Sequence, residues 1–265
     1  MKQIGFIGCG NMGGAIARAV CTSVPPAQVT LANRTPAKAQ ALAQELGCQW
    51  GDNKTVVQSC DLIFLGVKPQ MMKEMLKGIR STLAQRGDRF VLVTMAAGIS
   101  MEKIQKLAGD DYPVIRIMPN TPVSIGAGMI PYCTAGVTQE EEQAFRALMA
   151  KAGRLDAVPE GLMDAASAVS GCGPAWVYQF IEALADGGVA CGLPRAKALE
   201  YAAQTLAGSA QLVLESGQHP GALKDAVCSP GGSTIQGVRV LEERAFRGTV
   251  MDAVCAAYDK TKQLG

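Results

Sequence analysis

Gly8, Gly10 and Gly13, in the segment Gly8-Cys9-Gly10-Asn11-Met12-Gly13, have the spacing GxGxxG. The segment follows a short apolar run, QIGFIG over 3–8. It opens a stretch of helical spacing over 11–22, with Met12, Ile16, Ala19 and Val20 on one face. Between a strand and a helix, this spacing is a phosphate cradle. Gly8 permits the tight turn, Gly10 lets the backbone approach a pyrophosphate, and Gly13 lets the helix lie close to the strand. The helix start adds free N–H groups and positive partial charge. The chemistry indicated is dinucleotide binding.

The second apolar run, QVTLA over 28–32, ends in Asn33-Arg34-Thr35, with Lys38 one turn later. A site for NAD usually has a carboxylate here to bond the ribose hydroxyls. This chain has none, and Arg34 can hold a 2′-phosphate through charge-assisted bonds. The residues therefore favour NADPH, with NADH as the alternative donor. Three further breakpoints follow strand-like runs: Lys68-Pro69, Ala96-Ala97-Gly98 and Pro119-Asn120-Thr121-Pro122. In open α/β sheets ligands sit outside the carboxyl ends of strands, so these loops converge on one crevice.

A second polar site interrupts the later half at Ser229-Pro230-Gly231-Gly232-Ser233-Thr234. Ser233 reads as an N-cap, with Gln236 completing a capping box. Gly231 and Gly232 leave the amides before the helix unshielded, so 231–234 form an anion site suited to a carboxylate. A plain capped turn is the other reading of the same residues. The single histidine, His219, precedes Pro220 at a helix start and reads as a capping or packing residue.

Positioning these residues requires a particular order of elements. Asp61–Val67, Phe90–Thr94 and Pro113–Met118 are continuous apolar runs, as in a parallel sheet covered on both faces. Helices fit at about 36–46, 71–84 and 101–108, giving βαβ units and a doubly wound parallel sheet of Rossmann type. Two more short strands fit near 127–133 and 154–158, flanking a helix at 139–152. Beyond Glu160 the chain reads as helix only, at about 160–191, 195–216, 219–228 and 233–264. The expected division is an α/β domain over 1–158 and an all-α domain over 159–265. Helices so rich in Ala, Gly and Leu suit either a dimer interface or an intramolecular bundle.

Composition narrows the classes. The 265 residues carry 25 Lys and Arg against 23 Asp and Glu, a net charge of +2. That balance argues against a nucleic-acid partner and against a polybasic membrane binder. One histidine and nine scattered cysteines leave no CxxC pair and no expected metal site. The cysteines read as reduced intracellular thiols. No targeting segment fits the start, and no apolar run reaches the ~18 residues of a membrane span. A cytoplasmic location is expected.

Three stretches resemble one family, pyrroline-5-carboxylate reductase: FIGCGNMGGAI, LGVKPQ and the long run HPGALKDAVCSPGGSTIQGVRVLEE. IRIMPNTP over 115–122 and SGCGPAWVY over 170–178 also look like family segments. The likeness extends from Gly5 to about Leu264. It implies NAD(P)H-dependent reduction of 1-pyrroline-5-carboxylate to L-proline, the last step of proline biosynthesis. It also implies a Rossmann domain followed by a helical dimerisation domain, in homodimers that in many members assemble into decamers. By position it implies that Cys9, Asn11 and Met12 line the pyrophosphate and that Asn33 and Arg34 approach the adenosine ribose. Asn53 and Val67-Lys68-Pro69 would contact the cofactor, and Ala97 would lie by the nicotinamide. Ser233 and Thr234 fall where the family binds the substrate carboxylate, and the Thr234 hydroxyl where one bonds the imine nitrogen. The chain departs from the family at Trp176, usually Tyr, and at Ser233, where Ala is also common.

Two rivals make different demands. A 3-hydroxyacid dehydrogenase shares the FIGxGxMG start and a helical second domain, but it resembles its relatives in needing a lysine in the central helix. Residues 160–191 contain none. A non-catalytic dinucleotide binder would have no use for a carboxylate cradle at 231–234.

Overall fold

Four-residue strands with no polar face require cover on both sides, and the first unit supplies it. The computed structural model describes residues 2–263. Met1, Leu264 and Gly265, at the outer ends of the two expected domains, lie outside the described residues. Strands β1 (Ile4–Ile7), β2 (Val29–Ala32), β3 (Gln49–Gly51), β4 (Leu62–Leu65), β5 (Val91–Thr94), β6 (Val114–Ile117), β7 (Gly128–Ala135) and β8 (Gly153–Ala157) form one sheet. Its order is β3-β2-β1-β4-β5-β6-β7-β8. The helices between them are α1 (Asn11–Cys21), α2 (Pro36–Leu46), α3 (Asn53–Ser59), α4 (Pro69–Ala84), α5 (Met101–Ala108) and α6 (Gln139–Met149).

Phe6, Leu31, Phe64 and Val93 point to one face, under Ile16, Val20, Leu42 and Phe145 of α1, α2 and α6. Phe6 and Phe64 stack with centroids 4.5 Å apart. Ile7, Ile63, Leu65 and Leu92 point to the other face, against Val56, Leu76 and Ile104 of α3, α4 and α5. This two-sided burial is what continuous apolar strands require.

The structure corrects the expected sheet in two places. β3 and α3 are absent from the sequence reading. A three-residue edge strand is too short to show a period, although Asp52 caps α3 by accepting from the Thr55 N–H at 2.7 Å. β7 runs antiparallel to β6. The connection over 118–127 is too short for a parallel crossover, which needs a dozen or more residues.

The chain packs as two compact units. One compact unit runs to Cys172 and takes in the chain again from Ala257; the other runs from Gly173 to Ala256. Residues 159–172 pack with the sheet because α7 (Met163–Ser170) buries Met163, Ser167 and Ala168. Arg116 of β6, itself buried, donates from Nη2 to Asp164 Oδ1 at 2.8 Å and from Nη1 to Glu160 Oε1 at 3.3 Å.

The single helix expected over 160–191 is broken: α8 (Gly173–Ala190) starts after Gly171-Cys172. It is followed by α9 (Arg195–Ser216), α10 (Pro220–Ala226), α11 (Ser233–Glu243) and α12 (Phe246–Lys262). In the second unit α8 and α9 pack through Ala185, Ala198 and Ala202. Most of this unit's large apolar side chains stay at the surface, among them Leu199, Leu212, Leu214 and Met251. That surface is far more apolar than a free helical unit normally carries.

The helix expected over 233–264 divides at Ala245, whose φ is +56°. A Cβ in this left-handed conformation costs about 1–2 kcal/mol. Ala245→Gly removes that cost and adds flexibility to the unfolded chain. The expected net gain is about 0.5–1 kcal/mol, read as a higher midpoint in urea denaturation. An unchanged or lower midpoint would count against the left-handed turn.

Candidate active site

The glycines of the first loop are needed for different reasons. Gly8 has φ +102°, and a Cβ there would come within 2.6 Å of the Gly66 carbonyl oxygen. A Cβ on Gly13 would lie 2.1 Å from the Gly8 carbonyl oxygen. Gly10 differs, because no atom lies within 4 Å of where its Cβ would be. The backbone there faces open space at the N-cap of α1, which has no side-chain cap and no acidic residue in its first turn. Unpaired helix N–H groups beside that space make a cradle for a phosphate. The residues present therefore fit a dinucleotide.

Asn33 ties the loop to the end of β2. Its Oδ1 accepts from the Cys9 N–H at 3.1 Å, and its Nδ2 donates to the Thr35 carbonyl at 3.1 Å. The Cys9 thiol donates weakly to the Ala32 carbonyl at 3.5 Å. Burial first, and Cys48 nearby, push this thiol up to about 12. It is therefore neutral near pH 7 and unsuited to nucleophilic chemistry.

A cleft of about 1010 Å³ lies along these strand ends. Its wall brings together Gly8, Gly10, Asn33, Arg34, Asn53, Val67 and Lys68 of the sequence-derived set. Cys9, Asn11, Met12, Gly13, Pro69 and Ala97 are not in this wall. Gly13 acts behind it, holding α1 against the turn. Pro69 opens α4 at its first position after the N-cap Lys68. Ala97 follows β5, half-buried against the core of α3, α4 and α5.

Cations dominate the wall where β2 ends: Arg34, Lys38 and Lys54 are all exposed in it. Arg34 Nη1 lies 4.0 Å from the Met71 sulfur across the cleft. Asp52, the nearby carboxylate, is engaged by the Thr55 amide and hydroxyl, and these bonds hold it below the usual carboxylate range. A doubly charged phosphate suits this arrangement better than a ribose diol alone.

Sequence reasoning missed Trp50 and Glu160, and gave Asn120 only as part of the loop over 119–122. Trp50 stands in the wall, half-exposed, and its only sequence signal is a lone aromatic after a helix stop. Asn120 is buried and fixes the loop after β6. Its Oδ1 accepts from the Met129 N–H and its Nδ2 donates to the Ser170 carbonyl, both at 2.9 Å. Glu160 accepts from the first amide of α5, on Met101, at 2.8 Å, and so anchors the helix that follows Ala97.

Gly231, Gly232, Ser233 and Thr234 form a separate turn in the second unit. Gly231 has φ +70°, and the Gly232 N–H donates to the Ser229 carbonyl at 3.0 Å. Ser233 is not the N-cap that its spacing suggests. The extended backbone of Gly232 makes that residue the cap, with no side-chain bond, and Ser233 is already helical. The amides at the start of α11 therefore keep no side-chain partner of that kind. Ser233 and Thr234 both present exposed side chains. His219 caps α10, its Nδ1 accepting from the Gly221 N–H at 3.0 Å, as a capping residue should.

Known proteins are similar to this chain over its whole length. Residues 160–264 match a family model described as pyrroline-5-carboxylate reductase dimerisation. Residues 3–98 match one described as NADP oxidoreductase, coenzyme F420-dependent. Pyrroline-5-carboxylate reductase of Escherichia coli is 42% identical over 267 aligned positions, covering 99% of this chain and 98% of that one. The Arabidopsis thaliana protein of the same name is 40% identical, covering 99% and 95%. Among solved structures, Plasmodium falciparum pyrroline carboxylate reductase with NADP bound superposes with a TM-score of 0.89. It is 32% identical and covers 100% of this chain and 98% of its own. The glycine cradle, the helical second unit and full-length identity at this level agree: the chain belongs to the pyrroline-5-carboxylate reductase family.

Proposed function

We propose that this protein reduces 1-pyrroline-5-carboxylate to L-proline and prefers NADPH to NADH. The observation that carries the reading is the cradle at Gly8–Gly13 opening on a cleft whose β2 end is lined by Arg34, Lys38 and Lys54. When bound, the reduced nicotinamide supplies a hydride to the carbon of the C=N bond. The amides beside Gly10 and the start of α1 hold the pyrophosphate, with Cys9, Asn11 and Met12 around it. Asn33 and Arg34 hold the adenosine ribose, and Arg34 with Lys38 holds the 2′-phosphate. Asn53 and Val67-Lys68-Pro69 contact the cofactor further along, and Ala97 flanks the nicotinamide.

The amides of 231–234 hold the substrate carboxylate, with the Ser233 and Thr234 hydroxyls beside them. Thr234 Oγ1 hydrogen-bonds the ring nitrogen, which receives the C=N electron pair and keeps the proton of the protonated imine. No strong base is required, because that proton is already in place. His219 is engaged in its cap.

The exposed apolar side chains of the second unit support a homodimer built through it, with decamers of such dimers as the larger assembly. Nine free cysteines support a cytoplasmic location. No helix among the described residues is long and apolar enough to cross a membrane. Neither a nucleic acid nor a membrane is needed as a partner.

The test is NADPH oxidation at 340 nm with 1-pyrroline-5-carboxylate, run beside NADH and repeated with Arg34→Ala. Turnover by the unaltered chain is expected. Arg34→Ala should raise the KM for NADPH about tenfold or more, the worth of a charged hydrogen bond, and that for NADH little. Equal changes for both donors would remove the 2′-phosphate assignment. Binding of NADPH without turnover would overturn the proposed reaction.

A further inference from the structure

We propose that Trp50 is the platform on which the adenine ring of the dinucleotide stacks. The inference rests on the dinucleotide reading given above and adds a residue to it. Trp50 lies in β3, the edge strand of the sheet, opposite Leu31 of β2. Leu31 is fully buried, yet its neighbour on the edge is 49% exposed. A half-exposed tryptophan in a cleft wall offers apolar surface that a flat ring can cover.

Its surroundings say what that cover is. Trp50 is the only aromatic residue among those described in the cleft wall. Pro36 and Lys38 stand in the same wall from the start of α2, and Asn53 and Lys54 from the start of α3. Arg34, at the end of β2, marks the ribose end of the cleft. An adenine attached to that ribose needs a flat apolar face within the same wall, beside polar groups for its edge nitrogens. Trp50 provides the face, and Asn53 is the neighbouring amide.

Arg34 and Trp50 therefore act on different parts of the cofactor. The 2′-phosphate belongs to NADPH alone, so Arg34 selects between donors. The adenine belongs to both, so Trp50 sets affinity without selecting. Stacking a base on an aromatic side chain is worth enough to change a dissociation constant by about tenfold or more.

Isothermal titration of the full-length protein with NADPH and with NADH separates these roles. Trp50→Leu keeps an apolar side chain at the strand edge and removes the flat face. It should weaken NADPH and NADH by the same factor, about tenfold. Trp50→Phe restores a ring and should recover most of the affinity for both. The proposal is overturned if Trp50→Leu binds both dinucleotides as tightly as the unaltered chain. It is also overturned if Trp50→Phe falls as far as Trp50→Leu, which would mean that the indole only packs the edge, or if NADPH alone is weakened. Failure of the unaltered chain to bind either dinucleotide would remove the cofactor reading itself, and Trp50 with it. Normal binding and turnover with an indifferent Trp50→Leu would remove Trp50 alone.

Discussion

Gly13→Ala should destabilise the protein by about 3 kcal/mol and lower kcat/KM for NADPH about a hundredfold. The added Cβ would sit 2.1 Å from the Gly8 carbonyl oxygen, 3.3 Å from the carbonyl carbon and 3.7 Å from Gly66 Cα. These are backbone atoms of the turn after β1 and of the residue after β4, so no side chain can rotate away. The start of α1 must retreat by about 1 Å, and overpacking of this kind costs about 1–3 kcal/mol. A displacement of about 1 Å in a group that positions the cofactor lowers a rate on the order of a hundredfold. Gly14→Ala is the contrasting case one residue on. Its Cβ would meet Arg18 Nη1 at 3.4 Å and Leu42 Cδ2 at 3.6 Å, ordinary contacts with side chains. Inside a helix, Gly to Ala then stabilises by about 0.5–1 kcal/mol. Urea denaturation of the pair, with NADPH kinetics on each, checks both signs. Equal behaviour of the two variants would show that α1 does not rest on Gly8.

Thr234→Ala should lower kcat/KM for 1-pyrroline-5-carboxylate by about ten- to a thousandfold. Thr234 is the second residue of α11, after the N-cap Gly232, and its side chain is exposed. The protonated nitrogen has no free lone pair until the carbon accepts hydride, so a hydroxyl that donates to that pair forms its bond as the reaction proceeds. Such a differential contact affects the rate more than the binding of cofactor. An ordinary net hydrogen bond sets the lower end of the range, and a preorganised hydroxyl donating to the lone pair that appears on nitrogen sets the upper end. Thr234→Ser keeps the oxygen and should recover most of the loss. Dissociation constants for NADPH should be the same in all three proteins. A Thr234→Ala variant with unaltered kcat/KM would exclude the hydroxyl from the reaction.

The legible parts of this fold were those with a repeating physical cause. β1, β2, β4, β5 and β6 are buried at every position because both faces of the sheet are covered, and each lies within its largely apolar run. The Gly8–Gly13 turn was legible because GxGxxG between a strand and a helix has one main steric explanation. β3 was hidden because three residues carry no period. The orientation of β7 depends on loop length between elements and not on its own residues. Residues 159–172 lie in the same compact unit as the sheet for a tertiary reason: Arg116, distant in sequence, pairs with Glu160 and Asp164. The Ser233 cap failed because Gly232 can take the cap backbone itself. Trp50 lies on the short edge strand, and the partners of Asn120, on Met129 and Ser170, are set by the fold and not by sequence order.

The side chain of Asn33 has a consequence for anyone redesigning the donor preference. The usual conversion toward NADH places an acid at the end of the second strand. Aspartate at position 33 could still accept from the Cys9 amide, but it has no N–H to donate to the Thr35 carbonyl. Two oxygens would then face each other where a clasp now joins the Gly8–Gly13 turn to the loop after β2. Swapping the acid in at 33 would loosen the very turn it is meant to serve. The economical route changes Arg34 and leaves the asparagine in place.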